Sequence, residues 1–223
     1  MNDRRPLFTA AALLAVVAAG FPSPVHGQFG VAPRVGTLGL GGEVAIELSQ
    51  RWVLRGGAGI SKVSMSTDFN DVPVVLGAPD FWYNVGLDYY VNGAFRIGGG
   101  LLFKPDDPSI RGDFTGPVSI GGVLLTPEQI GTMTGTVQMD TEAAYVLFGF
   151  GKHVSEGVGL FIDLGAAIFG KSPVTLEAEG GTYPQDELDQ LLVAEARNFE
   201  NDMKRYFEVW PILNIGIRIG IGY

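Results

Sequence analysis

The last fifteen residues constrain this chain more than any other stretch. From Val209 to Tyr223 apolar residues recur at every second position: Val209, Pro211, Leu213, Ile215, Ile217, Ile219, Ile221 and Tyr223. Between them stand Trp210, Ile212, Asn214, Gly216, Arg218, Gly220 and Gly222. A period of two is the signature of a strand with one apolar face. Here the opposite face is mostly small or polar. A soluble sandwich turns its large residues toward a core, whereas a membrane barrel turns its apolar face to lipid and its polar face to the lumen. The pattern therefore predicts an all-β chain, an antiparallel transmembrane β-barrel.

The other end of the chain agrees with export. Arg4 and Arg5 precede an apolar run, Leu7 to Gly20, that is too short to span a membrane as a helix. Val25-His26-Gly27 offers small residues where a signal peptidase reads. Residues 1–27 are expected to be a cleaved signal peptide and 28–223 the barrel domain. Removing a segment that carries Arg4, Arg5 and Asp3 takes the net charge from −9 to −10. That acidic balance argues against a nucleic-acid partner. The absence of cysteine excludes a disulfide framework and thiolate metal sites.

Seven strands are legible: about 36–48, 52 onward to as far as Thr67, 81–91, 95–103, 137–152, 158–170 and the terminal strand. Asn92-Gly93 is a strong hairpin signal between the third and fourth. Bacterial barrels use an even number of strands, so eight are expected. The missing one is placed either in Gln28 to Val35 or within Lys104 to Gly135. Short turns near Gln50, Asn92 and Glu156 alternate with long connections near Asn70, Pro117 and a helix. Short turns belong to the periplasmic side and long loops to the outside. The helix, Gln185 to Phe207, is amphipathic, with Leu188, Leu192, Phe199, Met203 and Phe207 on one stripe and Leu191 beside it. Thr182 to Gln185 fits a capping box. This helix is expected in the connection before the last strand, packed over the barrel mouth.

Several stretches resemble the small eight-stranded bacterial outer-membrane barrels of the OmpA-transmembrane and OmpW-like porin type. The likeness lies in Ala144-Tyr145-Val146-Leu147-Phe148-Gly149-Phe150-Gly151, in Leu160 to Gly165, in Phe169 to Leu176, and in the closing Pro211 to Ile217. It implies a bacterial outer-membrane location, insertion by the barrel assembly machinery and, in Tyr223, the terminal aromatic which that machinery reads. It supplies no catalytic motif.

Glu43, Arg55, Asp88, Arg96, Asp163 and Arg218 share the inward parity of their strands. Eight strands leave an interior just wide enough for side chains. Opposite charges there are expected to form an ion-pair plug rather than a selectivity lining. His153, the single histidine left after the signal, is expected to be solvated or interfacial. No Ser-His-Asp arrangement can be built at the outer end, so no enzymatic activity is expected. The loop acids Asp68 and Asp71 with Asn70, and Asp106, Asp107 and Asp113, are expected to be solvated turn residues rather than calcium or magnesium ligands. Neither group follows calcium-loop spacing. Trp52, Phe81, Trp82, Tyr83, Phe95, Trp210 and Tyr223 are expected in interfacial girdles.

The reading is a monomeric outer-membrane barrel with a structural or surface-interaction role, in contact with lipid and lipopolysaccharide, with no cofactor. A small porin or a carrier of hydrophobic molecules is the alternative. A lipid-modifying enzyme and a soluble lipocalin-like barrel stand further back.

Overall fold

The computed structural model describes residues 28–69 and 72–221, without the side chains of residues 69 and 203–206. The signal segment and Tyr223 lie outside the described residues. In chain order the strands are β1 (Phe29–Gly36), β2 (Gly39–Ser49), β3 (Trp52–Ile60), β4 (Ser64–Phe69), β5 (Val72–Gly77), β6 (Phe81–Asn92), β7 (Phe95–Phe103), β8 (Ser109–Gly112), β9 (Val118–Ile120) and β10 (Val123–Leu125). A single helical turn, α1 (Pro127–Ile130), precedes β11 (Gly131–Val137), β12 (Glu142–Phe150), β13 (Gly157–Ile168) and β14 (Val174–Gly180). The long helix α2 (Gln185–Glu208) then leads into β15 (Val209–Ile221).

Eight of these strands close into an antiparallel barrel in the order β1-β15-β13-β12-β7-β6-β3-β2, with β1 pairing β2 as well as β15. Closure leaves no unpaired edge. The eighth strand is β1, so the first of the two expected placements holds. Alternation along β15 is strict: Ile215 is 52% exposed while its neighbour Asn214 is 1% exposed. Three tight connections, β2–β3, β6–β7 and β12–β13, lie at the same end as the paired residues Phe29 and Ile221. At β6–β7, Gly93 takes φ +52°, the left-handed conformation that an Asn-Gly hairpin requires.

The opposite end carries a compact cap that sequence periodicity did not reveal. Segments expected as loops form a five-stranded sheet, β14-β11-β8-β5-β4, and a small hairpin, β9-β10. The expected fifth strand is β12 in the wall, beginning at Glu142 rather than Val137, which closes the cap strand β11; the second strand ends at Ile60 rather than Thr67. These cap strands are short and interrupted by proline and glycine, so no long alternation marks them. Ile110, Ile120, Met133, Leu188, Leu192 and Phe199 build a core there that runs into the barrel top at Leu38, Leu102 and Ile212.

Helix α2 buries its expected stripe at Leu188, Leu192, Phe199 and Phe207; the Met203 side chain lies outside the described residues. Its N-cap is Pro184, with no side-chain cap. The expected capping box at Thr182 is not made: Gln185 instead donates to the Ala178 carbonyl and to Asp189. Two girdle assignments are also corrected. Trp82 is 0% exposed, and Trp210 packs beside it with ring centroids 4.9 Å apart. Both sit on the inward parity of their strands, where the cap core meets the lumen. Trp52, Phe81 and Tyr83 do face outward.

Candidate functional site

Parity delivers charged side chains to the lumen, and the register decides which of them meet. Arg34 on β1, Glu43 on β2, Arg55 on β3, Asp88 on β6, Arg96 on β7 and Asp163 on β13 are all buried. Arg55 sits at the centre. Its Nη1 is 2.7 Å from Asp163 and 3.2 Å from Glu43, and its Nε is 3.2 Å from Asp88. Arg96 Nε is 2.7 Å from Asp88 Oδ2, Arg96 Nη2 donates to Asp163, and Nη1 donates to the Gly151 carbonyl at 2.6 Å. Arg34 lies 3.5 Å from Glu43 and donates to Asn84 Oδ1 at 2.7 Å. Three guanidinium groups thus face three carboxylates and brace six of the eight strands together.

Glycine makes room for these groups. A Cβ at Gly149 would collide with the Arg96 guanidinium, and one at Gly98 with the Asp88 carboxylate. Inward glycines opposite long side chains keep the narrow barrel from overpacking.

Five of the six residues singled out from the sequence meet in this cluster; Arg218 does not. Its guanidinium donates to the Ser155 carbonyl and, among the described residues, reaches none of the three carboxylates. The register explains this: Asn214, not Arg218, stands opposite Asp163. Four residues along a strand is about 13 Å, which carries Arg218 to the short-turn mouth. Arg34 takes the place the sequence reading had given to Arg218. Its signal was present, since Gly30, Ala32 and Arg34 alternate with Phe29, Val31 and Val35.

His153 is a second correction. The β12–β13 turn folds back into the lumen, and the ring is buried against Phe161 at 4.5 Å between centroids. Its Nε2 lies 2.8 Å from Glu43 Oε1, and its backbone N–H donates to the Tyr90 hydroxyl at 2.8 Å. A turn histidine is ordinarily wet; this one is held inside because the turn is short and the lumen supplies acceptors.

Glu43, His153 and Asp163 bring three potential metal ligands close together. Arg55 already lies between the two carboxylates, so the guanidinium supplies the positive charge that a cation would bring. The loop acids have structural partners instead. Asp106 accepts from the backbone N–H of Asp80 and Phe81, and Asp107 from Lys104 and from the Met139 N–H. Asp68 lies in β4 and Asp113 donates its N–H to the Pro73 carbonyl. Asn70 and Asp71 lie outside the described residues.

Little space remains in the lumen. Between the ion cluster and the cap core lies a cavity of about 10 Å³, bordered by Arg34, Asn84, Tyr145 and Asn214 below and Leu38, Leu102 and Ile212 above. That is room for about one water. At the short-turn end a mouth of about 320 Å³ opens between Glu47, Arg51, Tyr90 and Lys152, with Val53 and Val154 also in its lining.

These features define a class: a closed eight-stranded barrel with an apolar outer wall, a charged plug and a packed cap. No family model and no curated protein matches the chain. Among the solved structures that share its fold are two from Acinetobacter baumannii. Acinetobacter baumannii CarO is 21% identical over 85% of this chain and 96% of its own, with a TM-score of 0.54. Acinetobacter baumannii CarO2 is 18% identical over 87% and 98%, with a TM-score of 0.57. A major outer membrane protein from Thermus thermophilus is 11% identical with a TM-score of 0.44, too distant to bear on this chain.

Proposed function

We propose that this protein is an integral bacterial outer-membrane barrel with a structural or surface-interaction role, closed to ordinary solutes. One observation carries the reading: burial in the wall is inverted. Leu87, Ile97, Val146, Leu164, Ile215 and Ile217 face outward from the barrel, while Arg55, Asp88, Arg96 and Asp163 are buried inside it. In water that arrangement would expose a continuous apolar belt and bury charge for no gain. In a bilayer both faces match their surroundings. The strands of the wall, at 8 to 13 residues, suit a tilted transmembrane crossing.

The short-turn end is assigned to the periplasm and the cap, with α2, to the cell surface. Outer-membrane lipid and lipopolysaccharide are the surroundings, the barrel assembly machinery acts during biogenesis, and Tyr223 is its recognition residue. The protein works as a monomer and needs no cofactor or catalytic group. Planar-bilayer recording of the refolded protein tests the closed lumen, with little conductance expected. Large, steady channels would replace this reading with the porin. A protein that stays monodisperse without detergent would remove the membrane assignment altogether.

A further inference from the structure

The cap sheet ends on an open edge. Among the described residues strand β4 pairs with β5 alone, and its chain comes directly from the outer wall. The ribbon formed by β3 and β6 does not stop at Ile60. Ser61 donates its N–H to the Asp80 carbonyl at 2.8 Å, and Ala78 donates to Val63 at 3.0 Å, before β4 and β5 take over. The segment between wall and cap is therefore a hydrogen-bonded continuation of the wall. Along it stand exposed Lys62, Val63 at 63% exposure and Met65 at 60%. Met65 pairs across the sheet with Leu76, which packs against the cap core. Met65 thus shares the apolar face of the sheet but overhangs beyond the residues that cover that face.

Height fixes what lies beside this overhang. β3 is nine residues long, about one tilted bilayer crossing. Trp52 at one end and Ile60 with Phe81 and Tyr83 at the other mark the two boundaries of the apolar belt. Val63 is three residues past Ile60 and can be no more than about 10 Å from it. The headgroup layer on each side is about 5–8 Å deep. Val63 therefore leaves the wall at or just above headgroup level, continuous with the belt, and Met65, two residues further along, is no more than about 18 Å from Ile60. Lys62 is the only cation between residues 61 and 80, and it stands at the height of lipid phosphates.

We propose that the Lys62–Met65 segment is a lipid-seating edge: Val63 and Met65 rest against the headgroup layer of the outer leaflet, and Lys62 binds lipid phosphate. The cap is thereby tethered to the membrane on its β4 side. This rests on the outer-membrane reading, and the test separates the two. The chain has no cysteine, so single cysteines at Met65, Val146 and Thr134 can each carry an environment-sensitive fluorophore. Val146 lies on the outer wall and Thr134 on the outer face of the cap sheet. The proteins are refolded into phosphatidylglycerol vesicles with bromine on the acyl chains. The expected result is strong quenching at Val146, weaker quenching at Met65 that is still several-fold above Thr134, and a loss of Met65 quenching in Lys62→Glu. Quenching at Val146 with Met65 no better than Thr134 would overturn the lipid seat and leave the barrel reading standing. No quenching at Val146 would overturn the barrel reading itself. A Met65 signal that follows protein density in the vesicles rather than bromine would assign the edge to a second copy of the chain and overturn the lipid seat.

Discussion

In the barrel wall, Ile215 and Ile217 face outward while Arg55 and Asp88 face in; in the cap, Ile110 and Leu188 face in while Thr132 and Glu179 face out. One chain thus uses opposite burial rules in two regions joined by continuous strands. The charge follows the same division. The long connections, residues 61–80, 104–141 and 169–208, carry 17 carboxylates against 7 lysines and arginines, while the rest of residues 28–223 has 6 of each. A surface that meets water gains from net charge; a plug in a narrow lumen must balance. The difference teaches that hydrophobic pattern is interpretable only with the solvent of each face known. In the proposed setting the wall has lipid on one side and its own ion pairs on the other, and the cap has water on one side and a conventional core on the other.

The largest expected effect comes from unbalancing the plug. Asp163→Ala removes the carboxylate shared by Arg55 and Arg96 and should cost about 3–5 kcal/mol. Heat-modifiable mobility of the refolded barrel should fall sharply in midpoint, and small-ion conductance should appear. An unchanged midpoint would mean that the plug is not what braces the wall.

Unpacking the cap should behave differently. Leu192→Ala opens a cavity in the cap core and should cost about 2–5 kcal/mol there. Protease sensitivity of the β13–β15 connection should rise while the mobility transition of the barrel stays in place. Joint loss of both would show that wall and cap are one cooperative unit.

A charge placed on each outer face tests the inversion directly. Val146→Lys should cost about 2–4 kcal/mol in a bilayer, whereas Thr134→Lys on the cap should change stability by less than about 0.5 kcal/mol. Folding titrations in lipid vesicles would measure both. Equal costs would erase the distinction between the two regions.

Among the charges inside the barrel, the smallest effect is expected at the mouth. Arg218→Ala loses a charged hydrogen bond to Ser155, roughly 1.5–3 kcal/mol, with no gain in conductance. A conductance increase comparable to that of Asp163→Ala would place Arg218 back in the ion cluster.

The sequence alone determined the inward and outward parity of the wall, seven of its strands with the eighth required by the even-number rule, the long helix, and Glu43, Arg55, Asp88, Arg96 and Asp163 as charges that point into the lumen. Those follow from local geometry, because a strand alternates its side chains whatever surrounds it. Tertiary structure decided everything that depends on height and register. Arg34 joins the cluster and Arg218 leaves it, although both have inward parity, because pairing sets how far up the barrel each guanidinium reaches. His153 and Trp82 are buried because neighbouring strands enclose them, which no local pattern records. The cap sheet was invisible for a related reason: strands of three to seven residues, broken by Pro73, Gly77 and Gly135, carry too few alternations to stand out. They become a sheet only when partners distant in the chain supply the hydrogen bonds and the core.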